Sequence, residues 1–125
     1  MSRTHSLLTF AFAFIAFGAT SAAAQQQQAP QDITLTADVI DLSCKVAHNL
    51  SGADHRMCAQ VCADKGIPLA LFANGQVYVP VSMEMPGTSA NAKLREFAEQ
   101  RVQVKGKVID RGGVKAIVIE QVTKA

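Results

Sequence analysis

The chain has 125 residues, 12 of them basic and 10 acidic, for a net charge of +2, and it contains no tryptophan. Four of its six phenylalanines crowd into positions 10–17. With so little positive charge and so few aromatics left over, a phosphate-neutralising stripe and a base-stacking platform are both excluded, and nucleic acid is not an expected partner.

Arg3 and His5 precede an apolar run over residues 7–17, and Ala22, Ala23 and Ala24 follow it. A basic n-region, a short apolar core and a small-x-small site predict a cleavable export signal over residues 1–24. The core is too short for a bilayer span, and no cysteine marks the junction for lipid attachment. Cleavage places the protein in the periplasm or outside the cell, without stable membrane insertion. Removing 24 residues from 125 leaves 101, enough for one domain with a modest core. Residues 25–31 are Gln-rich and contain Pro30, a composition that predicts a solvated lead-in. The folded domain is expected over residues 32–125.

Ile33, Leu35, Ala37 and Val39 alternate with polar neighbours and predict a half-buried strand; Ile40 and Leu42 break the phase, as a β-bulge would. Residues 54–65 read as a helix, with Ser51 and Asp54 as a capping pair, Gly66 as its stop and Pro68 beyond. Two short apolar runs flank Asn74-Gly75, a hairpin signal, and Pro80 closes the second. A second short helix is expected over residues 90–100, burying Leu94, Phe97 and Ala98. Val102, Val104, Val108 and Ile109 then form a strand, Arg111-Gly112-Gly113 turns, and residues 114–122 return with Ile117 and Ile119 on one face and Ala116 and Val118 on the other.

The elements sum to a mainly β domain with two short helices. Their order, and the stretch FAEQRVQVKGKVIDRGGVKAIVIEQV over residues 97–122, resemble small exported bacterial OB-fold-type domains. The resemblance lies in the pattern and covers most of the chain beyond the signal. It implies a five-stranded Greek-key barrel with a helix between strands three and four. It also sets the extra cysteine-bearing helix between strands one and two.

That inserted segment holds all three cysteines, Cys44, Cys58 and Cys62, together with His48 and His55. On a helix, Cys58 and Cys62 lie on one face, about 40° apart and roughly 6 Å along the axis, so two thiolates can converge on one ion. Cys44 arrives from the strand end as a third sulfur. His55 stands two turns before Cys62, roughly 10.5 Å along an ideal helix, and joins only if the first turn is irregular. His48 sits on the preceding connection. Sulfur and imidazole donors suit Zn²⁺ or Cu⁺, and Met57, Met83 and Met85 add soft donors that tilt the choice toward copper.

The odd cysteine count leaves a second reading open. Exported cysteines tend to pair, and Cys44 bonded to Cys58 or Cys62 would staple the helix to the barrel, whereas Cys58–Cys62 within one helical turn has poor disulfide geometry. The expected function is a non-enzymatic periplasmic protein binding a soft metal ion; the alternative is a disulfide-stapled module binding a small ligand or a protein without metal. No haem-attachment string, phosphate-binding glycine loop or thioredoxin-type pair is present.

Overall fold

The computed structural model describes residues 28–125. The expected export signal and residues 25–27 of the lead-in lie outside the described residues. Five strands build the domain: β1 (Gln31–Asp41), β2 (Leu69–Ala73), β3 (Gln76–Pro80), β4 (Arg101–Arg111) and β5 (Val114–Lys124). They close into a barrel in the order β1-β2-β3-β5-β4, with β4 returning antiparallel to β1 from Gln31↔Val108 to Asp38↔Arg101. Among the described residues the one parallel seam is short, Val79↔Ala116 and Pro80↔Ile117 between β3 and β5. This closed five-stranded barrel is consistent with the expected OB-like architecture.

Alternation fills the barrel. Leu35, Ala37 and Val39 of β1, Leu69 and Leu71 of β2, Val102 and Val104 of β4, and Ile117 and Ile119 of β5 form one core, with Leu94 plugging it from outside the sheet. On β5 the opposite face, Ala116 and Val118, is half-buried. The hairpin turn falls where Asn74-Gly75 predicts it: both residues take positive φ, 52° and 74°, as a type I′ turn requires.

Three features depart from the expected outline. The strand β1 begins at Gln31, one residue inside the predicted lead-in. Among the described residues there are three short α-helices instead of two: α1 (Leu42–His48), α2 (Arg56–Asp64) and α3 (Asn91–Leu94), the last continued by a 3-10 turn over Arg95–Phe97. And β1 carries no bulge, since its pairing with β4 and then β2 runs through Asp38 in unbroken register. Its phase breaks because Val39, Ile40 and Asp41 are buried in succession. Val39 points to the core, while Ile40 is buried outside that cluster, as are Ala59 of α2, Ala70 and Ala98. Where α2 covers the outer face of the strand, both sides become apolar and alternation is lost. The irregularity lies instead between β4 and β5, where the pairing slips at Lys105/Gly106 and leaves Glu120 unmatched.

The helix α2 is held from both ends. At its C-terminus Ile67 N–H reaches Cys62 O and Gly66 N–H reaches Ala63 O, both at 3.0 Å, the paired bonds of a Schellman stop with Gly66 at φ 89°. Asn91 then ties this end to the barrel. Its Nδ2 donates to Ala63 O and Ile67 O, and its Oδ1 accepts from Leu69 N–H at 3.0 Å. Along the outer side, Arg95 forms a two-pronged ion pair with Asp64, and Arg56 donates to Glu96 O at 2.9 Å.

Candidate metal centre

Asp41 ends β1 and begins α1. Its Oδ1 accepts the Cys44 N–H at 2.9 Å, so the carboxyl serves as N-cap and is fixed by the helix it starts. Asn49, at φ 53°, stops that helix after two turns, its N–H directed at the Cys44 and Lys45 carbonyls. Cys44 thereby sits on the first turn, half-buried, facing back toward the strand end.

The connection to α2 supplies the imidazole. Gly52, at φ 109°, lets the chain turn into a 3-10 segment over Ala53–His55, and α2 starts only at Arg56. No side chain caps this entry, so the expected Ser51–Asp54 capping pair does not form; Ser51 Oγ instead accepts from Lys45 Nζ at 3.4 Å. This tight, irregular first turn is the condition under which His55 can reach the cysteines, and it places His55 beside Cys44 and Asp41. One donor atom from each of the three lies within 4.8 Å of the other two.

Glu99 holds the two segments together. Its carboxylate accepts the Gly52 N–H at 2.7 Å and the Asp41 N–H at 3.4 Å, while its own N–H donates to Val39 O at 2.8 Å from a left-handed backbone, φ 56°. The start of the His55 turn and the end of β1 are thus clamped by one side chain.

Within this frame two buried polar atoms have no hydrogen-bond partner: Asp41 Oδ2 and His55 Nε2, the only such side-chain atoms among the described residues. Asp41 is fully buried. Leaving a buried acceptor unpaired costs about 1–3 kcal/mol, so such groups usually mark a function or an absent partner. Here both belong to the same three-donor group.

The remaining cysteines, Cys58 and Cys62, lie on α2 and are not members of that three-donor group. The Cys62 thiol is pushed up from 9.0 to about 11, first by the neighbouring Asp41 carboxyl, to which it makes no hydrogen bond of ordinary geometry, then by burial and by Cys58. Cys44 is also raised, by burial first and then by Asp41 and Cys58. Both thiols are thus raised by the carboxyl that caps α1 and by Cys58, which is exposed one turn before Cys62 on α2. All three cysteines are free. His48 is left out: it is exposed at the end of α1. The loop methionines are elsewhere too; Met85 is 96% exposed, and Met83 lines a groove with Lys93, Val118 and Ile119.

Asp41 and Glu99 were not among the sequence candidates. A signal for Asp41 was present, because Asp-x-x-Cys after a strand is an N-cap spacing that points a carboxyl at the cysteine. Glu99 has no local signal, since it acts 47 and 58 residues away.

The raised thiols make a signed prediction for the reduced, metal-free protein. A folded-state pKa above the unfolded one stabilises the fold fully below the unfolded thiol pKa and is lost as pH rises through the folded value. Urea stability should be flat from pH 7 to about 8.5 and decline between about pH 9 and 11. Cys62→Ser should flatten that decline; an unchanged slope would remove Cys62 as its source.

Comparison of the chain with protein-family models, curated proteins and solved structures finds no match. Among the described residues, no helix is long and apolar enough to cross a membrane.

Proposed function

We propose that this is an exported, non-enzymatic protein whose OB-like barrel carries one Zn²⁺ on Asp41, Cys44 and His55, with Cys62 as fourth ligand. The observation that supports it most is the pairing of the two orphaned atoms, Asp41 Oδ2 and His55 Nε2, with a thiol in one compact group. A cation supplies what both lone pairs lack. Carboxylate, imidazole and thiolate together are a borderline donor set, which favours Zn²⁺ over the Cu⁺ toward which the methionines tilt the sequence. Four protein ligands close the coordination sphere, as in a structural or carrier site, not one that holds a reacting water. The apolar run over residues 7–17 and the alanine site after it support export to the periplasm or beyond.

The disulfide alternative draws on the same neighbourhood, because the Asp41 carboxyl raises both the Cys44 and the Cys62 thiol. It leaves the buried imidazole nitrogen without a partner.

Titration of the reduced protein with Zn²⁺ against a chromophoric chelator should show one equivalent bound. Cys44→Ser and His55→Gln should each weaken binding by at least about tenfold, a loss of roughly 1.4 kcal/mol or more. Binding should also strengthen from pH 6 to 9, because the metal must displace the proton of a thiol held above its ordinary range. The absence of any stoichiometric binding would refute the proposal.

A further inference from the structure

Strand β3 stays beside β5 only as far as Val81, whose N–H donates to Ile117 O at 2.9 Å. The chain then runs through residues 82–89 and returns as α3, while β5 continues to Lys124. In a parallel ladder the next groups on that edge of β5 are the Ile119 N–H and carbonyl. The strand β3 ends before it can pair with either, and Lys93 of α3 donates its Nζ to Ile119 O at 3.2 Å in place of a backbone N–H. A groove of about 240 Å³ lies between the loop and this edge.

Two charges of opposite sign line the groove, Lys93 from α3 and Glu84 from the loop. Among the described residues neither forms an ion pair, whereas Arg95, Arg101, Lys107 and Lys115 each meet a carboxylate. Both are anchored, Lys93 on the Ile119 carbonyl and Glu84 by its N–H on Ser82 Oγ at 3.1 Å. Val81, Met83 and Val118 add an apolar lining, and the first two are 39% and 66% exposed. Separated opposite charges over an apolar lining fit a zwitterion that carries an apolar side chain.

We propose that this groove binds a free α-amino acid with an aliphatic or thioether side chain. The ligand carboxylate accepts from Lys93 Nζ, which keeps further donors after Ile119 O, and from the Ile119 N–H. Its ammonium meets the Glu84 carboxylate, and its side chain covers Val81 and Met83. The volume falls below the roughly 300–1,000 Å³ of sites for drug-sized molecules, which limits the occupant to a small one. No residue is shared with the metal centre, so the two readings stand or fall separately.

Calorimetric titration of the protein with L-leucine, in the presence of chelator, tests the proposal. Saturable one-site binding with a Kd of about 1 mM or tighter is expected. L-Leucinamide lacks the carboxylate and N-acetyl-L-leucine the ammonium, and each should bind at least about tenfold more weakly. Glu84→Gln should weaken L-leucine to the level of N-acetyl-L-leucine on wild type, and Lys93→Gln to the level of L-leucinamide. Because Glu84 lies on an exposed loop, its variant should unfold in urea at the wild-type midpoint, which separates lost binding from misfolding. No saturable binding of L-leucine or L-methionine up to about 10 mM would overturn the proposal. Equal affinity for L-leucine and its two blocked forms would overturn it as well.

Discussion

Asp41→Asn is expected to abolish zinc binding and yet leave the metal-free protein at least as stable as wild type. The two effects come from different oxygens of one side chain. Oδ1 caps α1 through the Cys44 N–H at 2.9 Å, and asparagine is as good an N-cap as aspartate, so that bond survives. Oδ2 is the buried acceptor without a partner, and His55, a member of the same three-donor group, carries a nitrogen in the same condition. An amide nitrogen in its place removes a buried, unpaired carboxylate oxygen and can donate to the imidazole. Relief of up to about 1–3 kcal/mol follows for the apo fold. For the metal the change removes an anionic ligand, and the loss should exceed the 10–100-fold typical of outer-shell partners, so at least about a hundredfold. Asp41→Ala separates the terms, because it also discards the cap and should destabilise the apo protein by about 1 kcal/mol relative to Asp41→Asn. Urea unfolding in chelator and reductant, paired with zinc competition, measures both. Wild-type zinc affinity in Asp41→Asn would remove the carboxylate from the site.

Gly106→Ala should be the most damaging single-methyl change in the barrel. A Cβ at this position would stand 2.1 Å from Val118 O, 3.2 Å from Val118 C and 3.4 Å from Ile119 Cα. All three are backbone atoms of β5, so no side-chain rotation relieves the clash. Gly106 is also paired on its other side with Ile33 of β1, which blocks a shift away from β5. The close approach occurs where the β4–β5 register slips past Glu120, and a glycine allows the strands to cross there as the barrel coils. Overpacking of this kind costs about 1–3 kcal/mol or more; without flexible neighbours the upper end, about 3 kcal/mol, is expected. Lys105→Ala, one residue away and exposed, should stay within about 0.5 kcal/mol. A Gly106→Ala midpoint close to that of Lys105→Ala would mean the strands can part at no cost.

What could be read from the chain and what could not divide by range. The Asn74-Gly75 turn, the Gly66 stop before Pro68 and the alternation of Leu35, Ala37 and Val39 are local decisions, made by φ preferences and period-two burial, and they appear where the residues require them. The helix α1 escaped because none of its residues is buried, so it has no apolar stripe; it exists through its Asp41 cap and Asn49 stop. In the sequence its neighbourhood reads as a bulge, since a strand covered on two faces and a bulged strand break alternation alike. At the centre itself, the cysteine segment was visible as a concentration of donors, and the reach of His55 hinged on an irregular turn that Gly52 and Glu99 now explain. The carboxylate members were hidden for another reason. Asp41 and Glu99 look like ordinary polar residues until the barrel closes and brings β1 and the segment before β4 to the same edge of α2.

The central claim, that this group of side chains holds a metal ion, is tested most directly by native mass measurement of the protein purified without chelator, before and after alkylation without reductant. A single bound zinc mass, lost in acid, with all three cysteines alkylated only after the metal is removed, is the predicted result. A metal-free mass two hydrogens short, with one cysteine alkylated, would contradict it and make the segment a disulfide staple on the barrel.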